Sequence, residues 1–266
     1  MKYDVVVVGG GVAGVCAGVY AKKNGADRVC VIEQTGVLGG LGTSRLMSLV
    51  ISSKYHSGGI SKEIVQTLKD TGAASPYLKD DEMDFVPYQV EHMKLILDEK
   101  IVSSGVTLYL YSKVYDVIKK DGKITKVKVA GPEGNFEIEG TTFIDASGDG
   151  MLSLYCGEDF EVGNEKGETQ APTMVAYYSN VDHKRLSKFI EAELDGDFQE
   201  AINGFISDAV DKKILKQMDL HLPGAFHISK TMDVVNAGHV FGGDCVTASG
   251  LTAATLEGRK MAYSYY

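Results

Sequence analysis

The residues best suited to chemistry stand near the start of the chain: Gly9, Gly11 and Gly14 in G-x-G-x-x-G register, and an acid, Glu33, nineteen positions after the last of them. Each glycine has a mechanical use in holding a dinucleotide. The first permits a tight turn, the second lets backbone approach a pyrophosphate, and the third lets a helix pack closely on a strand. A carboxylate about twenty residues further on is placed to accept hydrogen bonds from a ribose diol. The elements that must position these groups are legible around them. Val5 to Val8 read as a buried parallel strand, and a helix follows with Val12, Val15, Cys16 and Val19 on one face. Asn24-Gly25 ends that helix, and Arg28 to Ile32 form a second strand that closes on Glu33. Ala13, Ala17, Gly18 and Ala21 extend the close-packed seam. The helix N-terminus offers free N–H groups and the positive end of its dipole to phosphates. A strand, turn, helix, strand and acid in that order predict a dinucleotide site; this motif alone leaves NAD and FAD both open.

The loop after Glu33 is rich in glycine, at positions 36, 39, 40 and 42, with hydroxyls on Thr43 and Ser44. Its position directly after the ribose-binding acid predicts a loop that covers the cofactor. Arg45 and His56 lie in the same region and read as solvated surface residues. His56, His183, His221, His227 and His239 are scattered, with no pair at metal-ligand spacing, so no metal site is expected. Cys16, Cys30, Cys156 and Cys245 show no C-x-x-C spacing; Cys16 and Cys30 fall on buried faces and read as core residues in a reducing compartment, and Cys245 reads as a small packing residue. A cytoplasmic location is expected.

Composition narrows the class further. The chain has 266 residues, 44% of them hydrophobic, enough for a sizeable core. Its net charge of -9 argues against nucleic acid or an anionic membrane as partner. No apolar run reaches the roughly twenty residues that span a bilayer. The apolar N-terminus is read as the nucleotide-binding strand and turn, not as a signal peptide, because Asp4 interrupts the charged region.

Further along, helices are predicted over Ile60 to Thr71 and over about Gln89 to Ser103. From Gly105 the period becomes strand-like: VTLYLYSKVYDVIKK, KITKVKVA and NFEIEG form a β-meander, with turns at Asp121-Gly122 and Glu133-Gly134-Asn135. A buried strand, TTFID, then ends in the small-residue turn ASGDG. PTMVAYYSNV is read as a strand, His183 to about Lys216 as charged helix, and Leu220 to Asn236 is left without assignment. The chain closes with a short apolar strand at Val240 and Phe241, a Gly242-Gly243-Asp244 turn, and a helix from about Ser249.

Three separated segments, the N-terminal glycine motif with its acid, FIDASGDG, and VFGGDCVTAS before the last helix, together resemble the FAD-dependent oxidoreductases. The likeness is to the glutathione-reductase-type FAD-binding fold, near the fumarate reductase and succinate dehydrogenase flavoproteins. The resemblance implies FAD, with Gly9, Gly11, Val12, Ala13 and Gly14 on its pyrophosphate and Glu33 with Gln34 on the adenosine ribose. It implies Gly40 and Thr43 along the diphosphate and ribityl region, and Val114 pairing its backbone with adenine. Ala146, Ser147 and Gly148 would close over the adenosine half. Gly243 and Asp244 would hold the pyrophosphate and ribityl chain, and Gly250, Leu251 and Thr252 would aim the last helix at the flavin. Close relatives often carry Arg where this chain has Asp244; the Asp matches the wider flavoprotein pattern. They also carry a longer substrate region than Met151 to Val240 provides. A thiazole-biosynthesis-like protein has similar length and a glycine-rich loop, but the meander and GEDFEVGNEKG argue against it.

The expected fold is therefore α/β: a Rossmann-like FAD/NAD(P)-binding domain with a parallel sheet and inserted β-meander, plus a small α+β substrate or cap region. The domain would be discontinuous, residues 1–150 and 238–266, with 151–237 as the reduced cap. The expected activity is passage of a hydride or electron pair between a small organic substrate and a second acceptor. The alternative is a shortened FAD-binding subunit or module active only with a partner chain; the expected protein partner is another subunit or a second copy of the chain. Catalytic residues are not identified by the sequence.

Overall fold

The computed structural model describes residues 1–53, 58–74, 83–193, 198–215 and 224–265. The chain divides into two compact units, Met1–Phe160 and Glu161–Tyr266.

The first unit opens with strand β1 (Lys2–Val8), helix α1 (Val12–Lys23) and strand β2 (Val29–Ile32). Val6, Val7, Val29, Val31 and Ile32 are almost wholly buried, which explains why these short runs are apolar throughout rather than alternating. There follow a 3-10 turn at Gly40–Gly42, β3 (Leu49–Ser53), α2 (Gly59–Asp70), β4 (Met83–Pro87), α3 (Val90–Ser103) and β5 (Thr107–Tyr109). β6 (Lys113–Lys120), β7 (Lys123–Gly131), β8 (Gly134–Asp145) and the short α4 (Met151–Cys156) complete the unit. α2 buries Ile60, Ile64 and Leu68, spaced by fours on one face, as its sequence period predicts.

One six-stranded sheet, ordered β5-β2-β1-β8-β7-β6, organises this unit. β5, β2, β1 and β8 run parallel; β8, β7 and β6 form the antiparallel meander. Two sequence assignments change here. The stretch read as one strand, VTLYLYSKVYDVIKK, is two strands at opposite edges of the sheet. It breaks at Tyr111, whose φ is 53°, and the turn is held by Tyr111 N–H on Thr35 O and Ser112 N–H on Glu33 O. Conversely, NFEIEG and TTFID are one strand of 12 residues. Its first half pairs with β7, and from Glu139 onward it pairs with β1. The meander therefore continues the nucleotide-binding sheet and is covalently joined to its centre. Tyr3, Val6, Val8, Cys30, Ile32, Val114, Val127, Val129, Ile138 and Leu152 form one core beneath it.

The second unit contains β9 (Thr173–Ser179), α5 (His183–Glu193), α6 (Phe198–Asp211), β10 (Gly224–Ser229), β11 (Met232–His239) and α7 (Ala248–Ser264). Its sheet is antiparallel in the order β10-β11-β9. The hairpin β10–β11 occupies most of the stretch that sequence left unassigned. Val240 and Phe241 follow β11 and are not a strand of their own. Ile206, Leu215 and Ala237 form this unit's small core. No helix among the described residues is long and apolar enough to cross a membrane.

Candidate functional site

In the first unit the glycine turn sits where β1 ends and α1 begins, beside the turn that leaves β8. The three motif glycines meet three different surroundings. Gly9 has φ +103°, and a Cβ on it would lie 2.2 Å from Ala146 O. A Cβ on Gly14 would lie 1.9 Å from Gly9 O. Both positions are closed to any side chain by backbone. Gly11 is different: a Cβ there meets nothing within 4 Å. Gly11 is also the N-cap of α1, no side chain caps that helix end, and no acid occupies its first turn. The first-turn N–H groups of Val12, Ala13 and Gly14 thus remain for an anion, and the dipole favours one. The open space at Gly11 and the uncapped helix fit a pyrophosphate.

Glu33 is buried, and its carboxylate closes the turn from below. Oε2 accepts from Gly10 N–H at 2.7 Å, and Oε1 accepts from Thr35 N–H at 2.7 Å and Thr35 Oγ1 at 2.8 Å. Oε2 accepts only one of these bonds and keeps further acceptor capacity, so they orient the acid without consuming it. Gln34 beside it is exposed. Sequence reasoning passed over Gly10 and Thr35, which act here through a backbone amide and a hydroxyl and leave only a weak sequence signal.

The glycine-rich loop that follows is pinned rather than loose. Gly39 N–H donates to Gly10 O at 2.8 Å, and Gly40, with φ +53°, lies against Gly11. Thr43 is fully buried and its hydroxyl donates to Leu38 O at 2.5 Å. Tyr88, between β4 and α3, donates to Gly42 O at 2.7 Å. The loop is thereby fixed against the second glycine of the motif.

The turn after β8 completes this half. Ala146 N–H donates to Val8 O at 2.8 Å, carrying the turn across to β1. Asp145 organises it: Oδ1 accepts from the Ser147 hydroxyl and N–H, and Oδ2 from the Leu152 and Ser153 N–H groups. Burial pushes this carboxyl up, but the Ser147 bonds, with those from Leu152 and Ser153, outweigh it and hold it below the usual 3.8. Gly148, with φ +84°, is exposed at the tip. Gly9, Gly11, Gly14, Glu33, Gly40, Thr43, Ala146 and Ser147 are thus gathered in one place. Val114 lies on β6 instead, buried and paired with Val129.

Gly243, Asp244, Gly250, Leu251 and Thr252 belong to the second unit, at the start of α7. Asp244 Oδ1 accepts from Val246 N–H at 2.7 Å and Thr247 N–H at 3.2 Å, and Oδ2 accepts from the Thr247 hydroxyl. These bonds, the Thr247 hydroxyl first, hold the Asp244 carboxyl below its usual value. Thr247 in turn caps the helix by accepting from Gly250 N–H. A Cβ on Gly250 would lie 2.4 Å from Asp244 Oδ2, which is why glycine stands there.

Among the other candidates, Arg45 is exposed, and His56 and His221 lie outside the described residues. The four cysteines are free; burial raises the Cys30 thiol to about 12, which makes it inert. Tyr178 donates to Ala262 O, tying β9 to α7. The expectation that the histidines stay scattered does not hold for two of them. The β10–β11 hairpin sets His227 directly opposite Asp233, and His183 at the start of α5 reaches the same carboxylate. The turn Ser229-Lys230-Thr231 between FHIS and MDVV was the available sequence signal.

The parallel sheet, the three-glycine turn and the inward acid define a dinucleotide-binding α/β protein. The chain belongs to the FAD dependent oxidoreductase family, whose model matches residues 4–266, and its cofactor is FAD. No curated protein sequence matches the chain. Among solved structures, the OxyS anhydrotetracycline hydroxylase from Streptomyces rimosus is 15% identical, with TM-score 0.51 over 99% of this chain and 50% of that one. The p-nitrophenol 4-monooxygenase PnpA from Pseudomonas putida DLL-E4 is also 15% identical, with TM-score 0.50 over 69% of this chain and 50% of that one. THI4 from Thermovibrio ammonificans is 20% identical, with TM-score 0.43 over 59% and 64%. At these identities the likeness is one of fold. The chain spans less than two thirds of the length of each of these proteins.

Proposed function

We propose that the chain uses bound FAD to pass a hydride or electron pair between a small organic substrate and a second acceptor. The observation that carries this reading is the open face of Gly11 at an uncapped helix N-terminus, flanked by glycines that tolerate no side chain. The flavin supplies the redox chemistry when bound. The protein's part is to hold and orient it. The backbone N–H groups at Gly11, Val12, Ala13 and Gly14 receive the pyrophosphate, with Gly9 shaping the turn. Glu33, already oriented by Gly10 and Thr35, receives the ribose, with Gln34 at the rim. Gly40 and Thr43 support the diphosphate from the covering loop, and Ala146, Ser147 and Gly148 line the adenosine half. In a discontinuous FAD-binding domain of residues 1–150 and 238–266, the flavin end of the cofactor would fall to Gly243, Asp244, Gly250, Leu251 and Thr252.

A second reading, a module that acts with a partner subunit or as a homo-oligomer, is favoured by one feature. Helix α7 exposes Leu251, Leu256 and Tyr263, large apolar side chains on a single element.

The visible absorption spectrum of the purified protein tests the first reading, with denaturation to release the flavin. About one FAD per chain, bleached by a reductant, is the expected result. A colourless protein that also fails to take up added FAD sinks it and leaves the partner-dependent module.

A further inference from the structure

Three side chains from three elements of the second unit converge on one point. His183 begins α5, His227 lies on β10 and Asp233 on β11. His183 Nε2 lies 2.8 Å and His227 Nδ1 2.7 Å from the same oxygen, Asp233 Oδ1, and one ligand atom of each residue falls within 4.8 Å of the others. The two imidazole rings face each other, with centroids 3.8 Å apart and a tilt of 35°. We propose that His183, His227 and Asp233 bind a single divalent first-row transition ion of the zinc type.

The physical argument rests on charge and donor chemistry. Both ring nitrogens point at Asp233 Oδ1, and a cation bound among them would take the place of the N–H protons that face that oxygen. One cation placed among two such nitrogens and a carboxylate gives all three a favourable partner at once. The set of two nitrogens and one oxygen suits zinc and its neighbours; calcium and magnesium favour all-oxygen surroundings. Exposure is graded across the site: the Asp233 side chain is 8% exposed, His183 21% and His227 49%. The anion is therefore fixed inside, and the open side faces water. Three protein ligands with a fourth position left to solvent is the arrangement of reactive rather than purely structural zinc sites. The antiparallel register that opposes His227 and Asp233 also fixes their spacing, because directly opposed residues share a sheet face.

The test is zinc titration of the chelator-stripped full chain by calorimetry. One ion per chain is expected, with affinity reduced about tenfold or more by His227→Gln, since even outer partners of a metal ligand are worth that much. His92→Gln, an exposed histidine on α3, should leave the affinity unchanged. Absence of uptake, or equal affinity in H227Q and the parent chain, overturns the proposal. Zinc-edge X-ray absorption on the unaltered protein gives a second reading independent of any variant. Imidazole scattering supports the site, whereas sulfur ligation or an oxygen-only shell refutes it.

Discussion

Gly9, Gly11 and Gly14 have separate uses in the motif, and their surroundings make substitution at each a different experiment. At Gly9 a Cβ meets Ala146 O, and at Gly14 it meets Gly9 O, both within 2.2 Å and both backbone. Alanine at either must displace the turn, and overpacking of that kind costs about 1–3 kcal/mol. Gly9→Ala adds strain at a positive φ. Gly11→Ala has free space and φ -60°, so it costs about 1 kcal/mol or less, the worth of a poorer N-cap. We expect G9A and G14A to lower the melting temperature of the flavin-free protein. G11A should nearly preserve it while losing FAD on dilution. Thermal melts of the stripped proteins, paired with flavin retention on a desalting column, separate the two effects. The chemical types of these residues were legible in the sequence. So was the use of each: tight turn, phosphate approach and close packing. The atoms that close on Gly9 were not, because Ala146 follows β8, more than a hundred residues away.

At the scale of elements, the joints carry the information. Asp145 connects β8 to α4 by accepting from Ser147, Leu152 and Ser153. Its folded-state value lies below 3.8, so it adds stability above the unfolded value and loses it as pH falls through the folded one. Asp145→Asn should therefore destabilise the protein at neutral pH, and the gap to the parent should close in acid below about pH 4. Urea unfolding at a series of pH values measures this; a gap that is constant with pH would assign the loss to packing instead. The joints are also where reading the sequence falls short. α1, α2 and α3 follow from hydrophobic period and breakers, which are local. The split of β5 from β6 depends on bonds from Tyr111 and Ser112 to Thr35 and Glu33, and the length of β8 depends on pairing with β1. Alternation alone records neither, since a turn inside an apolar run and a strand shared by two partners leave the same pattern.

For the whole molecule, the FAD proposal draws on two turns. The glycine turn lies in Met1–Phe160 and the Asp244 turn in Glu161–Tyr266. If the cofactor domain is discontinuous, Asp244→Asn should weaken FAD binding about tenfold or more while leaving the first unit's glycine turn intact, a loss in the range of one charge-assisted hydrogen bond. Flavin fluorescence titration gives the affinity, and a melt of the stripped variant checks that α7 keeps its cap. Unchanged affinity would confine the site to the first unit and favour a partner for the apolar side chains that α7 exposes.

By itself the sequence determined the dinucleotide turn, the acid after the second strand and the periodic helices. Each of these is a local pattern whose physical cause lies within a few turns of chain. Tertiary structure alone decided that Ala146 closes on Gly9, how one strand joins the meander to the parallel sheet, and that His183 and His227 meet at Asp233. Those outcomes depend on strand register and on backbone from distant segments. A linear pattern records a residue's type and its neighbours in sequence, but not the atoms that fold against it.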